Sequence, residues 1–199
     1  MTQNTMTHAI VLGSFSFFFG ALLAITNSMT AEDILLRARE DRQNSVSQVI
    51  PPNLYDNNPV TDSIILKDTA GQDITVYRAL KNGKVTGLAY EIHGSGYSGE
   101  VKLMMGVDIE GKVLGVRVIS HQETPGLGDR INEKKTDWIL HFTGLSLGNP
   151  PIEQWKVKKD GGKFDQFSGA TITPRAVVGA VRGGLELFAM HQKEMTEAR

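Results

Sequence analysis

The segment Asp165-Gln-Phe-Ser-Gly-Ala-Thr-Ile-Thr-Pro174 sets hydroxyls at Ser168, Thr171 and Thr173 around two small residues, Gly169 and Ala170. It lies just ahead of a stretch, Pro174–Gln192, with Ala176, Val177, Ala180, Val181, Leu185 and Phe188 at helical spacing. Pro174 suits the first helical position and Thr173 the N-cap. Amides at a helix N-terminus point outward, and the macrodipole adds roughly half a positive charge there. Such a place suits a phosphate, and Gly169 and Ala170 let the backbone come close to a bulky group. The same residues also suit a plain helix start, in which Ser168 and Thr173 cap and Gly169 turns the chain. Both readings stand on this segment alone. A hydrolase using Ser168 or Thr171 as nucleophile would need a base and an orienting partner, and neither is supported.

A second segment, His121-Gln-Glu-Thr-Pro-Gly-Leu-Gly128, is a shaped loop with ionisable groups at His121 and Glu123. A metal site would need a third and fourth ligand at useful spacing, and none is evident. A loop closing over a flat ring would instead pack Leu127 on a face and turn Thr124 or backbone amides to ring heteroatoms. Cysteine is absent, so the chain holds no disulfide, iron–sulfur cluster or thiolate metal site. Redox chemistry is then open only through a cofactor held by other means. Lys plus Arg total 21 against 22 Asp plus Glu, a balance that gives no support to nucleic-acid binding. No Gly-x-Gly-x-x-Gly follows a strand, so a dinucleotide fingerprint is missing.

The elements that must position these segments are legible from periodicity. Met1–Ala31 carries no Asp, Glu, Lys or Arg, and Ala9–Thr26 is almost wholly apolar. At about 1.5 Å per residue that run makes a helix roughly 27 Å long, close to the ~30 Å hydrocarbon core of a bilayer. A cleaved signal peptide would carry a basic n-region and a small-x-small cleavage site, and neither is present. Residues 1–8 are thus read as a short N-terminal segment and 9–27 as a membrane anchor. Residues 28–52 are read as a linking stretch whose helix opens at a Thr30 cap and stops at Pro51-Pro52. From Thr61 the period falls to two. Strands are expected at Asp62–Lys67, Ile74–Leu80, Val85–Ile92, Val101–Asp108 and Val113–His121, with Gly71, Asn82-Gly83 and Glu110-Gly111 as turns. Gly83–His93 and Gly111–His121 echo one another, as two related hairpin strands of one sheet would. A helix is expected around Asp129–Phe142. The class is α+β, an antiparallel sheet with packed helices over residues 53–199, preceded by one transmembrane helix.

Asp165-Gln-Phe-Ser-Gly-Ala-Thr171 resembles the D-x-x-[ST]-G-A-T flavinylation motif of the FMN-binding domain family. With the loop His121–Gly128, Gly96-Tyr97-Ser98-Gly99, Lys158-Lys159-Asp160-Gly161-Gly162 and Val49-Ile50-Pro51-Pro52, the chain resembles the G subunits of Rnf-type ion-translocating electron-transport complexes over essentially its whole length. The resemblance implies FMN joined through its phosphate to the hydroxyl of Thr171, the ester being made from FAD by a separate Mg-dependent flavin transferase. It implies that Ser168, Gly169, Ala170 and Thr173 line the phosphate, and that Asp165 either is read by the transferase or fixes the loop. Glu123, Thr124, Leu127 and Gly128 would surround the ring, and His121 would be structural. It further implies partner subunits in the bacterial inner membrane, electron flow between ferredoxin and NAD, and a flavin domain on the periplasmic side. Arg37, Arg39 and Arg42 after the span point the other way by the positive-inside rule. The C subunit of the sodium-pumping NADH:quinone oxidoreductase, a relative with the same attachment chemistry, is the nearest alternative. A membrane-tethered interaction module without a flavin is the alternative from another class.

Overall fold

The computed structural model describes residues 2–68 and 71–197. The chain forms two compact units that divide between Asp41 and Arg42. The first is the bulk of one helix, α1 (Thr2–Val49), which is long and apolar enough to cross a bilayer. Hydroxyls within it bond back to its own backbone, Ser14 to the Val11 carbonyl at 2.8 Å and Thr26 to that of Leu22 at 2.9 Å. Such pairing is what makes these residues tolerable in lipid. Thr30 does the same, donating to the Thr26 carbonyl at 2.9 Å. It is therefore mid-helix: the expected cap at Thr30 is not formed, and the helix runs on unbroken from the apolar span to Val49.

The second unit is built on a five-stranded antiparallel meander: β1 (Ser63–Lys67), β2 (Asp73–Lys81), β3 (Lys84–Ser95), β4 (Glu100–Asp108) and β5 (Val113–Ser120). Each expected strand is present, with ends shifted by a few residues. Lys81 pairs with Lys84 across Asn82-Gly83, whose φ angles of +52° and +74° are those of the two-residue type I′ turn that matches strand twist. α2 (Ile172–Thr196) covers one face of the sheet with Val177, Val181, Leu185 and Phe188 buried against it. Fully burying each such side chain contributes about 1.5–3 kcal/mol.

The other face is covered by the end of α1, where Val46, Val49 and Ile50 pack on Tyr77, Ala79, Ala89 and Met104. Cover on both faces explains why burial is continuous over Gly87–Tyr90 of β3 and Leu103–Val107 of β4 rather than alternating. Close approach is possible because Ala89, Gly106 and Gly115 lie side by side across β3, β4 and β5. A Cβ on Gly106 would sit 2.4 Å from the Val49 carbonyl oxygen.

The sheet is also tied to α2 by the buried phenol of Tyr90, which donates to the Gly184 carbonyl at 2.8 Å. Burial holds this phenol well above its ordinary pKa. In the unfolded chain it ionises near about pH 10, whereas in the fold it resists ionisation. Its contribution is therefore complete below about pH 10 and is lost as pH rises beyond that value. Tyr90→Phe should cost about 1 kcal/mol at neutral pH and flatten the alkaline decline, as read by urea unfolding at about pH 8 and about pH 11.

Between β5 and α2 the chain forms no long helix. The one expected over Asp129–Phe142 is instead two short 3₁₀ turns, Gly128–Ile131 and Trp138–Phe142. Local side chains divert the backbone between them: the Asn132 amide oxygen accepts from the Lys134 N–H at 3.0 Å, and the Thr136 hydroxyl donates to the Arg130 carbonyl at 2.6 Å. Aromatic packing then stabilises the irregular region. Trp138, Phe142, Trp155, Phe164 and Phe167 form one cluster, with neighbouring ring centroids 4.9 to 6.3 Å apart.

Candidate functional site

The motif segment rests on this aromatic cluster. Trp138 donates its indole N–H to the Asp165 carbonyl at 2.9 Å, and Phe167 packs edge-on against the Trp138 ring. Phe167-Ser168-Gly169-Ala170 is a tight turn closed by the Ala170 N–H on the Phe167 carbonyl at 3.1 Å. Gly169 takes φ +79° at its third position, where glycine is favoured. α2 then begins at Ile172, with Thr171 as the cap residue. The start lies two residues earlier than expected, so Thr173 is not the N-cap and Pro174 falls third in the helix. Pro174 is tolerated there because the first-turn N–H groups have no carbonyl four residues back in any case.

This shift separates the roles of the two threonines. Thr173 is fully buried and its hydroxyl donates to the Glu123 carboxylate in a very short hydrogen bond. Thr171 is half-buried, and among the described residues its hydroxyl has no hydrogen-bond partner.

Glu123 is the joint of the site. It is 5% exposed; Oε2 accepts from Thr173 and Oε1 accepts from the Ser98 N–H at 3.0 Å. It thereby ties together the loop after β3, the loop after β5 and the start of α2. Gly96 and Gly128 make room for it, since a Cβ at either would come within 2.4 and 2.5 Å of a carboxylate oxygen. His121 accepts from the Glu123 N–H through Nδ1 at 3.1 Å and serves the loop's shape. The buried Asp129 does likewise, accepting from the Gly126 N–H at 2.7 Å.

A cleft of about 510 Å³ opens over this joint, lined by Glu123, Thr124, Leu127, Gly128, Gly169, Ala170, Thr171 and Thr173. Eight of the ten sequence-proposed residues thus converge. The other two lie outside the lining. Ser168 is exposed on the turn, and Asp165 forms an exposed ion pair with Lys158 at 2.6 Å. Tyr97, Lys159 and Ile172 complete the lining and are not among the site residues expected from the sequence. Tyr97 and Lys159 belong to segments, 96–99 and 158–162, whose sequence signal is motif membership and not chemistry. Leu127 and Tyr97 are exposed apolar surfaces at the cleft, suited to a flat ring. Thr171, Lys159 and the first-turn amides of α2 supply a hydroxyl, a cation and partial positive charge suited to a phosphate. The residues present fit FMN.

The FMN-binding domain family model matches residues 96–186, a span that contains every residue lining the cleft. Over nearly the whole chain, the similarity is to the G subunits of ion-translocating oxidoreductase complexes. The Cereibacter sphaeroides protein is 46% identical over 193 residues, covering 97% of this chain and 88% of its own. That of Vibrio vulnificus is 43% identical over 199 residues, covering 98% and 94%. This chain belongs to that G-subunit family.

Among solved structures, this family member is similar to NqrC of Shewanella oneidensis, with TM-score 0.51 and 23% identity over 76% of this chain and 73% of that one. It is also similar to the C subunit of the Na(+)-translocating NADH-quinone reductase of Parabacteroides distasonis, with TM-score 0.53 and 17% identity over 81% and 94%. At these identities the likeness is one of fold. The α+β architecture and the Rnf-type resemblance read from the sequence are both borne out, and the C-subunit reading holds as a structural relationship.

Proposed function

We propose that this chain is the flavin-carrying electron-transfer subunit of a membrane-bound ion-translocating oxidoreductase complex, with FMN held covalently through a phosphoester to Thr171. The observation that carries the attachment point is the contrast between the two cleft threonines. Thr173 is buried with its hydroxyl committed to Glu123, while Thr171 offers an uncommitted, half-exposed hydroxyl at the start of α2. The G-subunit relatives and the FMN-binding domain match support the cofactor and the complex.

Attachment would join the Thr171 oxygen to the FMN phosphorus of FAD, with AMP as the leaving group and the hydroxyl proton lost. A Mg-dependent flavin transferase performs it. When bound, FMN supplies one- or two-electron transfer. The chain's own residues do the rest. Thr171 fixes the phosphate end, and the first-turn amides of α2 offset its charge. Glu123 holds the three cleft segments in register, and Leu127, Tyr97 and Ile172 provide apolar surface for the ring. The chain turns over no substrate alone; it passes electrons between partner subunits, in a ferredoxin- and NAD-linked pathway.

α1 anchors the chain in the bacterial inner membrane, and the flavin domain lies on the periplasmic side. That orientation rests on the G-subunit likeness and opposes the bias of Arg37, Arg39 and Arg42. The arginines share their segment with Glu32 and Asp33, and assembly with partner subunits fixes the topology. A tether is useful there, because FMN lost outside the cytoplasm would not be replaced from the cell's pool.

The test is intact mass and in-gel fluorescence of the denatured chain produced with an active flavin transferase. The expected product is fluorescent and heavier by one FMN less one water. An unmodified chain, beside a control protein that the same transferase modifies, would overturn the reading and favour a membrane-tethered interaction module.

A further inference from the structure

Resting on the flavin reading above, we propose that Lys159 is the cation that pairs with the phosphodiester at Thr171, and that the neighbouring ion pairs exist to leave it available. The short turn Lys158–Asp160 lies beside the motif and carries two adjacent lysines. Each flanking charge is accounted for. Lys158 Nζ meets Asp165 Oδ1 at 2.6 Å, joining the turn to the first residue of the motif. Asp160 receives two hydrogen bonds from Arg175 in the first turns of α2, Nε to Oδ2 at 2.7 Å and Nη2 to Oδ1 at 2.9 Å. The same guanidinium holds the Asp160 carboxyl below the usual carboxylate range, so it is ionised at neutral pH.

The backbone of the turn is also fixed, the Lys159 N–H donating to the Gln166 side chain at 3.2 Å. Lys159 itself lines the cleft with Thr171, and its ammonium makes no ion pair among the described residues. The other charge in the lining, Glu123, is buried and its two oxygens are taken by the Ser98 N–H and the Thr173 hydroxyl. An incoming phosphate therefore meets, in the cleft that Thr171 also lines, one lysine without an ion-pair partner among the described residues. Asp165 and Asp160 pair with Lys158 and Arg175 and pin the turn that presents Lys159, and Asp160 attracts the Lys159 ammonium across the turn without forming an ion pair with it. This gives Asp165 a structural role in the motif, as one end of a clamp.

The experiment compares wild type with Lys159→Ala, Lys159→Arg and, as a control of equal charge change outside the cleft, Lys156→Ala. Attachment rate is followed by intact mass at limiting transferase and FAD, in low and in high salt, alongside thermal melts. A charge-assisted contact is typically worth about tenfold or more. We expect Lys159→Ala to slow attachment by about tenfold in low salt with an unchanged melt, Lys159→Arg to restore most of the rate, and the deficit to shrink in high salt. In the fully loaded proteins, the ³¹P resonance of the phosphodiester should move in Lys159→Ala and not in Lys156→Ala. Equal rates for Lys159→Ala and Lys156→Ala, or an unmoved ³¹P resonance, would overturn the assignment. A deficit that arginine fails to rescue would overturn the charge role. A wild-type chain left unmodified by an active transferase would overturn the flavin reading, and this inference with it.

Discussion

Thr171→Ala should give a folded chain that carries no flavin after denaturation, whatever the amount of transferase supplied. The residue's backbone, φ −75° and ψ −27°, is ordinary right-handed helix that alanine adopts without strain. Its hydroxyl makes no cap hydrogen bond, so little stability depends on it, and the melt should shift by less than that of a typical cap loss of about 1 kcal/mol. The oxygen proposed for attachment, in contrast, is gone entirely. Thr173 does not substitute, because it is fully buried and its hydroxyl is engaged by Glu123. Intact mass with peptide mapping checks both halves of the expectation. Flavin found on Thr173 in this variant would show that the Glu123 contact opens in solution and would remove the argument for selectivity.

The largest loss of stability should come from Glu123→Ala. The carboxylate satisfies two donors from separate segments, Ser98 N–H and Thr173 O–H, and truncation leaves both without an acceptor. The Thr173 hydroxyl is buried, and a buried orphaned group costs roughly 1–3 kcal/mol, whereas Ser98 is exposed and its N–H turns to water. The vacated space between the Gly96 and Gly128 backbones adds a cavity term. A total of about 2–4 kcal/mol is expected, seen as a lower urea midpoint with little change in slope. Glu123→Gln keeps the shape but turns an amide N–H₂ toward one of the donors, so it should lose about half as much. The pair is tested by adding Thr173→Val to Glu123→Ala. One orphaned donor then disappears, and the double variant should be more stable than the sum of the single losses implies. Strict additivity would mean that the short Thr173–Glu123 contact contributes nothing. Attachment of flavin should fall in both Glu123 variants, since the cleft walls lose their common joint.

The sheet is legible in the sequence because its signals are local. Asn82-Gly83 and Glu110-Gly111 set the hairpins, and runs of Val, Ile and Tyr of ordinary strand length fill the space between. The long apolar helix is legible from length and the missing charge. The stretch around Asp129–Phe142 is not, because apolar spacing there serves an aromatic cluster drawn from residues up to 29 positions away, from Trp138 to Phe167. Asn132 and Thr136 compete for the backbone, and periodicity does not record that competition. At the site, the motif locates Thr171, but Thr173 reads as a cap. What it does depends on Glu123, fifty residues earlier, and only the fold places the two in contact. Lys159 is hidden for a related reason. Adjacent lysines look alike in a sequence, and the partners of their neighbours decide which one is uncommitted.

The meander has a consequence for the order in which this protein is made. Every strand pairs with its neighbour in sequence, so the loops that must close are short and the sheet accumulates in step with synthesis. The cleft does not. Its walls come from the loops at 96–99 and 121–128 and from Gly169 to Thr173, and the last of these runs into the start of α2. A nascent chain halted after β5 holds all five strands but lacks the third wall of the cleft. On the proposed reading, cofactor loading therefore waits until α2 has docked, and a chain that lacks α2 stays without flavin.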